Sequence, residues 1–140
     1  MSLASINAQI RSTKNTIYYL NGQLDLRQEE LRRLQQAQSK LNDYKSEFQH
    51  NEHFILEPKL TAKTWHGQLA TDYDSFREGD LLSSYKNIYQ TQLGSVLSEI
   101  SSEIRALQNK IEQLEASIES NERRLSDLYE ARRRELEDDD

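Results

Sequence analysis

Residues 97–128 read LSEISSEIRALQNKIEQLEASIESNERRLSDL. Apolar residues and one asparagine recur in this stretch at alternating spacings of three and four, at Leu97, Ile100, Ile104, Leu107, Ile111, Leu114, Ile118, Asn121, Leu125 and Leu128. An alternation of this kind sustained over about four heptads is typical of a left-handed coiled coil rather than of an isolated amphipathic helix. The stretch therefore predicts a long helix that pairs with another helix along its Ile/Leu stripe.

A second run with the same period occupies the N-terminal third of the chain. Its positions are Leu3, Ile6, Ile10, Thr13, Ile17, Leu20, Leu24, Arg27, Leu31, Leu34, Gln38, Leu41, Lys45 and Phe48. Two such runs predict an all-α fold, a long antiparallel helical hairpin that forms a coiled coil. Polar residues at inward positions, such as Arg27 and Gln38, restrict the register. They are either tolerated in a wet two-stranded seam or covered by a further helix.

The composition is that of a helical protein with few turns. The 140 residues include 4 Gly, 1 Pro and no Cys, with 35% hydrophobic and 30% charged residues. Sandwiches, barrels and ordinary αβ folds need turn residues more often. The net charge of −6, without a basic stripe, argues against nucleic-acid binding. No apolar stretch approaches the ~18 residues of a membrane span.

The segment between the two runs contains the single proline. Pro58 lacks an amide hydrogen and biases Glu57 away from helical angles, so the first helix should end before it. We expect one domain over residues 1–136, with helix 1 at about 3–48, a connector at 49–66 and helix 2 at about 67–136. An acidic tail follows at 137–140. Gly79 is a candidate kink in the second helix.

Aromatic residues concentrate near this connector, at Tyr44, Phe48, Phe54, Trp65, Tyr73, Phe76, Tyr85 and Tyr89. An aromatic-rich bend is therefore expected, and two interpretations of it stay open. Bulky rings can fill a wide bend that leucine alone would leave empty. Exposed tryptophan and tyrosine are also typical anchors of protein interfaces.

No catalytic constellation stands out. The glycines are isolated, so there is no phosphate-binding loop, and no serine lies in a Gly-x-Ser-x-Gly turn. His50 and His53 are three residues apart but lack a third ligand at a defined offset. We therefore expect a protein that is not an enzyme and that uses no cofactor and no metal.

A Trp-x-Gly motif lies in the connector, as Thr64-Trp65-His66-Gly67, with Phe76 nine residues after Gly67 and Lys45-Ser46-Glu47-Phe48 before it. With this motif between two heptad runs, the chain resembles the YwqH-like family of coiled-coil proteins. That family is associated with LXG toxins and is related to the Trp-x-Gly superfamily of type VII secretion in Gram-positive bacteria. The resemblance covers most of the chain.

The resemblance implies an adaptor or chaperone-like protein that binds the helical N-terminal targeting domain of an LXG toxin. It places partner binding at Trp65 and Gly67, and we add the neighbouring aromatic residues Tyr73 and Phe76. The superfamily's export signal is Tyr-x-x-x-Asp/Glu, whereas Tyr129 is followed four residues later by Arg133. A cytoplasmic location, or co-export with the partner, is therefore expected. The alternatives are a coiled-coil spacer, a homo-oligomerising scaffold such as a homodimer, and a secreted substrate.

Overall fold

The computed structural model describes residues 1–57 and 67–138; residues 58–66, with Trp65, and residues 139–140 lie outside the described part. The first long helix, α1, spans Leu3–His50 and is followed by a 3₁₀ turn at Glu52–Leu56. The second long helix covers residues 68–138. It consists of three α-helical segments and two π-helical turns. In chain order these are α2 (Gln68–Phe76), a turn (Arg77–Leu81), α3 (Leu82–Asn87), a turn (Ile88–Gln92) and α4 (Leu93–Asp138).

The predicted all-α helical hairpin is confirmed, since two long helices are joined by a bend and the described ranges contain no strand. The first helix ends at His50, two residues beyond the end expected from the heptad pattern, and the second is helical up to Asp138, the last described residue. Helix ends fray residue by residue, so a periodic pattern locates them only to within one or two positions. Gly79 lies inside a π-helical turn and does not interrupt the second helix.

The chain divides into two compact units, and the first consists of Met1–Arg33 and Ile104–Asp140. Its buried cluster contains Ile6, Ile10 and Leu128, with Leu125, Tyr129 and Ala131 packed against it. The start of α1 therefore lies against the end of α4, as expected for antiparallel helices. Burying each of these aliphatic side chains contributes about 1.5–3 kcal/mol.

The second unit is Leu34–Glu103. In this unit Gln38 Nε2 donates a hydrogen bond to Ser101 Oγ at 3.0 Å. The polar residue that the pattern predicted at an inward position thus has a partner on the facing helix. Because the bond forms in only one register, it contributes to specificity more than to stability.

The heptad positions of both helices face inward. Every position of the first run is buried or partly buried, Arg27 and Lys45 included, and so is every position of the second run from Leu97 to Leu128. Upstream of Leu97 one row of buried or partly buried positions has a spacing of four, at Arg77, Leu81, Tyr85, Tyr89 and Leu93, and partly buried residues beside this row are Leu82, Lys86, Ile88 and Gly94. A heptad stripe advances 3.5 residues per step, so this segment carries about two additional residues. Each π-helical turn accommodates one of them, which keeps one side of the helix inward.

Candidate partner-binding site

Gly67 immediately precedes the second long helix. Its backbone has φ 98° and ψ −172°, and its carbonyl accepts a hydrogen bond from the Thr71 amide at 3.3 Å. Residues with a side chain rarely adopt this conformation, whereas glycine does so without strain. Among the described residues, no atom beyond the immediate chain neighbours lies within 4 Å of the position that a Cβ would occupy. Glycine is therefore required here by the backbone angle and not by a shortage of space.

Helix α2 presents an apolar stripe to solvent. Leu69, Tyr73 and Phe76 are 69%, 46% and 48% exposed, and its buried residue is Ala70. The spacing of four and three between the exposed residues matches the inward heptads, so periodicity alone does not reveal their exposure. Of the two interpretations of the aromatic cluster, the one in which the rings are exposed matches Tyr73 and Phe76. Trp65 lies outside the described residues.

A groove of about 480 Å³ lies next to α2 in the second unit. The side chains around it come from the 3₁₀ turn and the second helix, and they are Asn51, Phe54, Ile55, Glu57, Tyr73, Arg77, Leu81 and Tyr85. Among the residues predicted to bind a partner, Tyr73 lines this groove, whereas Gly67 and Phe76 do not. Phe54 adds a second ring to the lining and is 60% exposed.

Arg77 is a lining residue that sequence reasoning missed. Its side chain is almost fully buried, its Nη2 donates to Asp74 Oδ1 at 2.6 Å, and its guanidinium lies 5.0 Å from the centre of the Tyr73 ring. The carboxylate and the ring face both compensate for burial of the positive charge. Tyr73 is consequently held in place on the wall of the groove. The spacings of three from Asp74 and four from Tyr73 were the available sequence signal.

Two tyrosines connect the second helix to the end of α1. The Tyr85 hydroxyl donates to the carbonyl oxygen of Phe48 at 2.6 Å, and the Tyr89 hydroxyl donates to Glu52 Oε1 at 3.1 Å. Lys86 Nζ lies 3.6 Å from the same carboxylate oxygen. Burial, together with the bond to Glu52, raises the pKa of Tyr89 above its ordinary value of 10.0. These contacts hold the end of α1 and the 3₁₀ turn against the second helix.

Acidic residues occur in the lining of the groove and at exposed positions of the second helix. Glu57 lines the groove, and Asp72, Glu78 and Asp80 are exposed on α2 and the π-helical turn that follows. Arg77 is already neutralised by Asp74. The lining of the groove therefore combines apolar and aromatic side chains with the carboxylate of Glu57.

His50, the last residue of α1, and His53, in the 3₁₀ turn, contact each other. His53 Nδ1 lies 2.9 Å from the carbonyl oxygen of His50, and the two rings meet edge to face at 6.2 Å. Within residues 1–57 and 67–138, no three His, Asp or Glu side chains are grouped as metal ligands. No helix in that part of the chain is both long and apolar enough to cross a membrane.

Comparison with known proteins gives one result. The model of the YwqH-like family matches residues 8–130, which include the first heptad run from Ile10 onward, the connector and the whole second run. No curated protein and no solved structure matches the chain. Because the match extends over most of its length, the chain belongs to the YwqH-like family.

Proposed function

We propose that this protein is a non-enzymatic, chaperone-like adaptor of type VII secretion that binds the helical targeting domain of an LXG toxin. The observation that carries the proposal is the groove of the second unit, in which Phe54 and Tyr73 stand half-exposed on apolar walls. Membership of the YwqH-like family supports it through the secretion role that the sequence resemblance implied.

The exposed rings have the character of binding anchors. Phe54, Tyr73 and Phe76 are large side chains that remain 46–60% exposed, and burying them in a complex is favourable. Arg77 already holds Tyr73 in place through the cation–π contact. A side chain that is ordered before binding loses less conformational entropy in the complex, which favours affinity.

The shape and charge of the groove favour a particular kind of helix. An amphipathic helix binds a groove through apolar residues at positions i, i+3 or i+4, and i+7. The carboxylate of Glu57 in the lining, together with the exposed carboxylates of Asp72 and Glu78 on the second helix, favours basic residues beside those anchors. We therefore infer that the partner's helix is apolar on one side and flanked by lysine or arginine.

The packing of Tyr129 supports the proposal that this protein is not exported on a signal of its own. Tyr129 packs against the cluster of Ile6, Ile10 and Leu128, and its ring lies 5.6 Å from Lys14 Nζ and 5.0 Å from the Arg132 guanidinium. A tyrosine held in this way serves the fold. The protein would then remain in the cytoplasm or leave the cell together with its toxin.

The test is co-expression of the chain with the N-terminal domain of the neighbouring LXG toxin, followed by affinity purification and a secretion assay in a deletion strain. Phe54→Ala and Tyr73→Ala in the groove, and Phe76→Ala and Trp65→Ala at two further predicted partner-binding residues, should each weaken binding at least about tenfold while the protein stays helical. Tyr44→Ala is the matched control, because Tyr44 is a 52% exposed aromatic residue on α1 and lies outside the groove.

Three outcomes would contradict the proposal. Absence of co-purification, with unchanged toxin secretion in the deletion strain, rejects the adaptor. Loss of stability in these variants without a change in binding indicates a structural spacer. Accumulation of the protein in the culture supernatant when it is expressed without the toxin and other proteins encoded beside it indicates a secreted substrate.

A further inference from the structure

The outer side of α1 in the first unit is unusually poor in charge. Residues 1–24 carry two charged side chains, Arg11 and Lys14, and no acidic residue, whereas 30% of the whole chain is charged. Lys14 extends toward the Tyr129 ring, 5.6 Å from its centre. On the same outer side Tyr18, Tyr19 and Leu26 are 84%, 63% and 56% exposed. Depletion of charge together with exposed tyrosine is the composition of an interface core.

A second heptad stripe runs along this outer side, at Ala8, Ser12, Asn15, Tyr19, Gly22 and Leu26. At 100° per residue its members lie about 130–180° from the local centre of the inward stripe, so the stripe faces away from α4. All six residues are exposed. A hollow of about 460 Å³, lined partly by Ala8, Ser12 and Asn15, lies beside the Tyr19 ring. The stripe thus presents small residues at one end and two large ones at the other.

We propose that this stripe binds a second copy of the chain, with the two α1 helices antiparallel. In the register that places Asn15 opposite Tyr19 of the second copy, Ser12 faces Gly22 and Ala8 faces Leu26. Each pair occurs twice because the arrangement is two-fold symmetric, and each large residue meets a small one. A closed dimer requires a surface that is complementary to itself in this way.

The charges agree with the register that the side-chain sizes select. Along one edge of the stripe, Arg11 lies opposite Asp25 of the second copy, so two ion pairs form by symmetry, and Tyr18 meets its own counterpart at the two-fold axis. Among the described residues, neither Arg11 nor Asp25 has an ion-pair partner within the chain. These edge positions are the ones that determine pairing in coiled coils.

Neighbouring registers are less favourable. In one neighbouring register, each residue faces the position one heptad closer to the N-terminus of the second copy. This register places Arg11 opposite Tyr18 and leaves Asp25 without a cation. A shift of one heptad in the other direction places Glu29 opposite Ser12, although Glu29 is already paired with Arg32. The paired stripe from Ala8 to Leu26 is about 27 Å long. None of its residues lines the groove of the second unit, so the proposal is independent of the toxin partner.

Sedimentation equilibrium on the full chain, over a concentration series at low salt, tests the dimer. The unmodified chain should show a reversible monomer–dimer equilibrium. Arg11→Glu and Asp25→Arg should each raise the dissociation constant about tenfold or more, because each turns two attractive pairs into two repulsive ones. The double variant Arg11→Glu/Asp25→Arg should restore the dimer, which a merely structural role of either residue would not produce.

Two further variants complete the design. Lys40→Glu is the matched control, since it changes the net charge by the same amount on an exposed part of α1 outside the stripe. Ala8→Lys should abolish the dimer without loss of helix, because it places a long charged side chain opposite Leu26. A chain that stays monomeric at high micromolar concentration would overturn the proposal. A dimer whose dissociation constant does not change on charge reversal would also overturn it. The same holds if the charge reversals weaken only the binding of another protein.

Discussion

The Tyr85 hydroxyl donates a 2.6 Å hydrogen bond to the carbonyl oxygen of Phe48, while the two rings lie 5.4 Å apart. One residue of the second helix thereby satisfies a backbone carbonyl in the last turn of α1, where the helix no longer supplies a donor. The contact combines a polar bond with ring packing at the point where α1 ends.

Tyr85→Phe tests this contact, since it removes the hydroxyl and retains the ring. We expect a loss of about 0.5–1.5 kcal/mol in the free energy of unfolding, the usual contribution of one hydrogen bond, measured by urea denaturation. Tyr44→Phe is the control, because Tyr44 is half-exposed on α1. Equal stability of the two variants would mean that water replaces the bond at no cost.

Ile10→Ala tests the packing of the first unit. Ile10 is 5% exposed and contacts the cluster with Ile6 and Leu128, so truncation should cost about 2–5 kcal/mol through lost burial and a residual cavity. Val96→Ala, at a 43% exposed helical position, should change stability by less than about 0.5 kcal/mol. Similar losses for both variants, measured by thermal or chemical denaturation, would contradict the buried seam.

Two glycine substitutions should have opposite signs. Gly67→Ala forces a side chain into a φ of 98° and should destabilise the protein by about 1–3 kcal/mol. Gly94→Ala should stabilise it by about 0.5–1 kcal/mol, because Gly94 lies within α4 and a methyl group added there would meet open space. Differential scanning calorimetry of both variants checks the signs, and a stabilising Gly67→Ala would contradict the backbone angle.

Glu29 should impart an acid dependence to stability. Hydrogen bonds from Arg32, with further contributions from Arg33, lower the pKa of Glu29 from its ordinary 4.5 to about 2. Since the folded value is depressed, the stabilisation is fully present above pH 4.5 and is lost as the pH falls toward 2. Carboxyl NMR titration should show the low value, and Arg32→Gln should move it upward. In Glu29→Gln this part of the acid dependence should disappear; an unshifted titration would refute the contact.

Much of the fold was predictable because a coiled coil depends on local periodicity. The heptad positions of the two runs, Leu3 to Phe48 and Leu97 to Leu128, all face inward as the alternation of three and four predicts. Gln38 occupies such a position and finds Ser101 on the facing helix. A stripe that repeats every 3.5 residues must be covered along its whole length, so two stripes in one chain indicate a hairpin without further information.

The candidate site was predictable only in part. Tyr73 was expected at a partner surface and lines the groove, whereas Arg77 and Leu81 beside it were not expected. Between Arg77 and Leu97 one row of inward residues has a spacing of four. In a regular heptad pattern, residues with this spacing would drift gradually around the helix instead of staying on one side. The two π-helical turns, at Arg77–Leu81 and Ile88–Gln92, compensate for this drift, and a heptad pattern does not locate them.

By itself, the sequence determined the helical class, the two inward stripes and the absence of any charge pattern suited to nucleic acid. Those properties follow from spacing and composition, which act along the chain. Only the tertiary structure decided that Leu69, Tyr73 and Phe76 face solvent and that Phe54 joins Tyr73 at one groove. Residues distant in sequence become neighbours only when the chain folds back. Whether an apolar stripe is covered then depends on what lies opposite it.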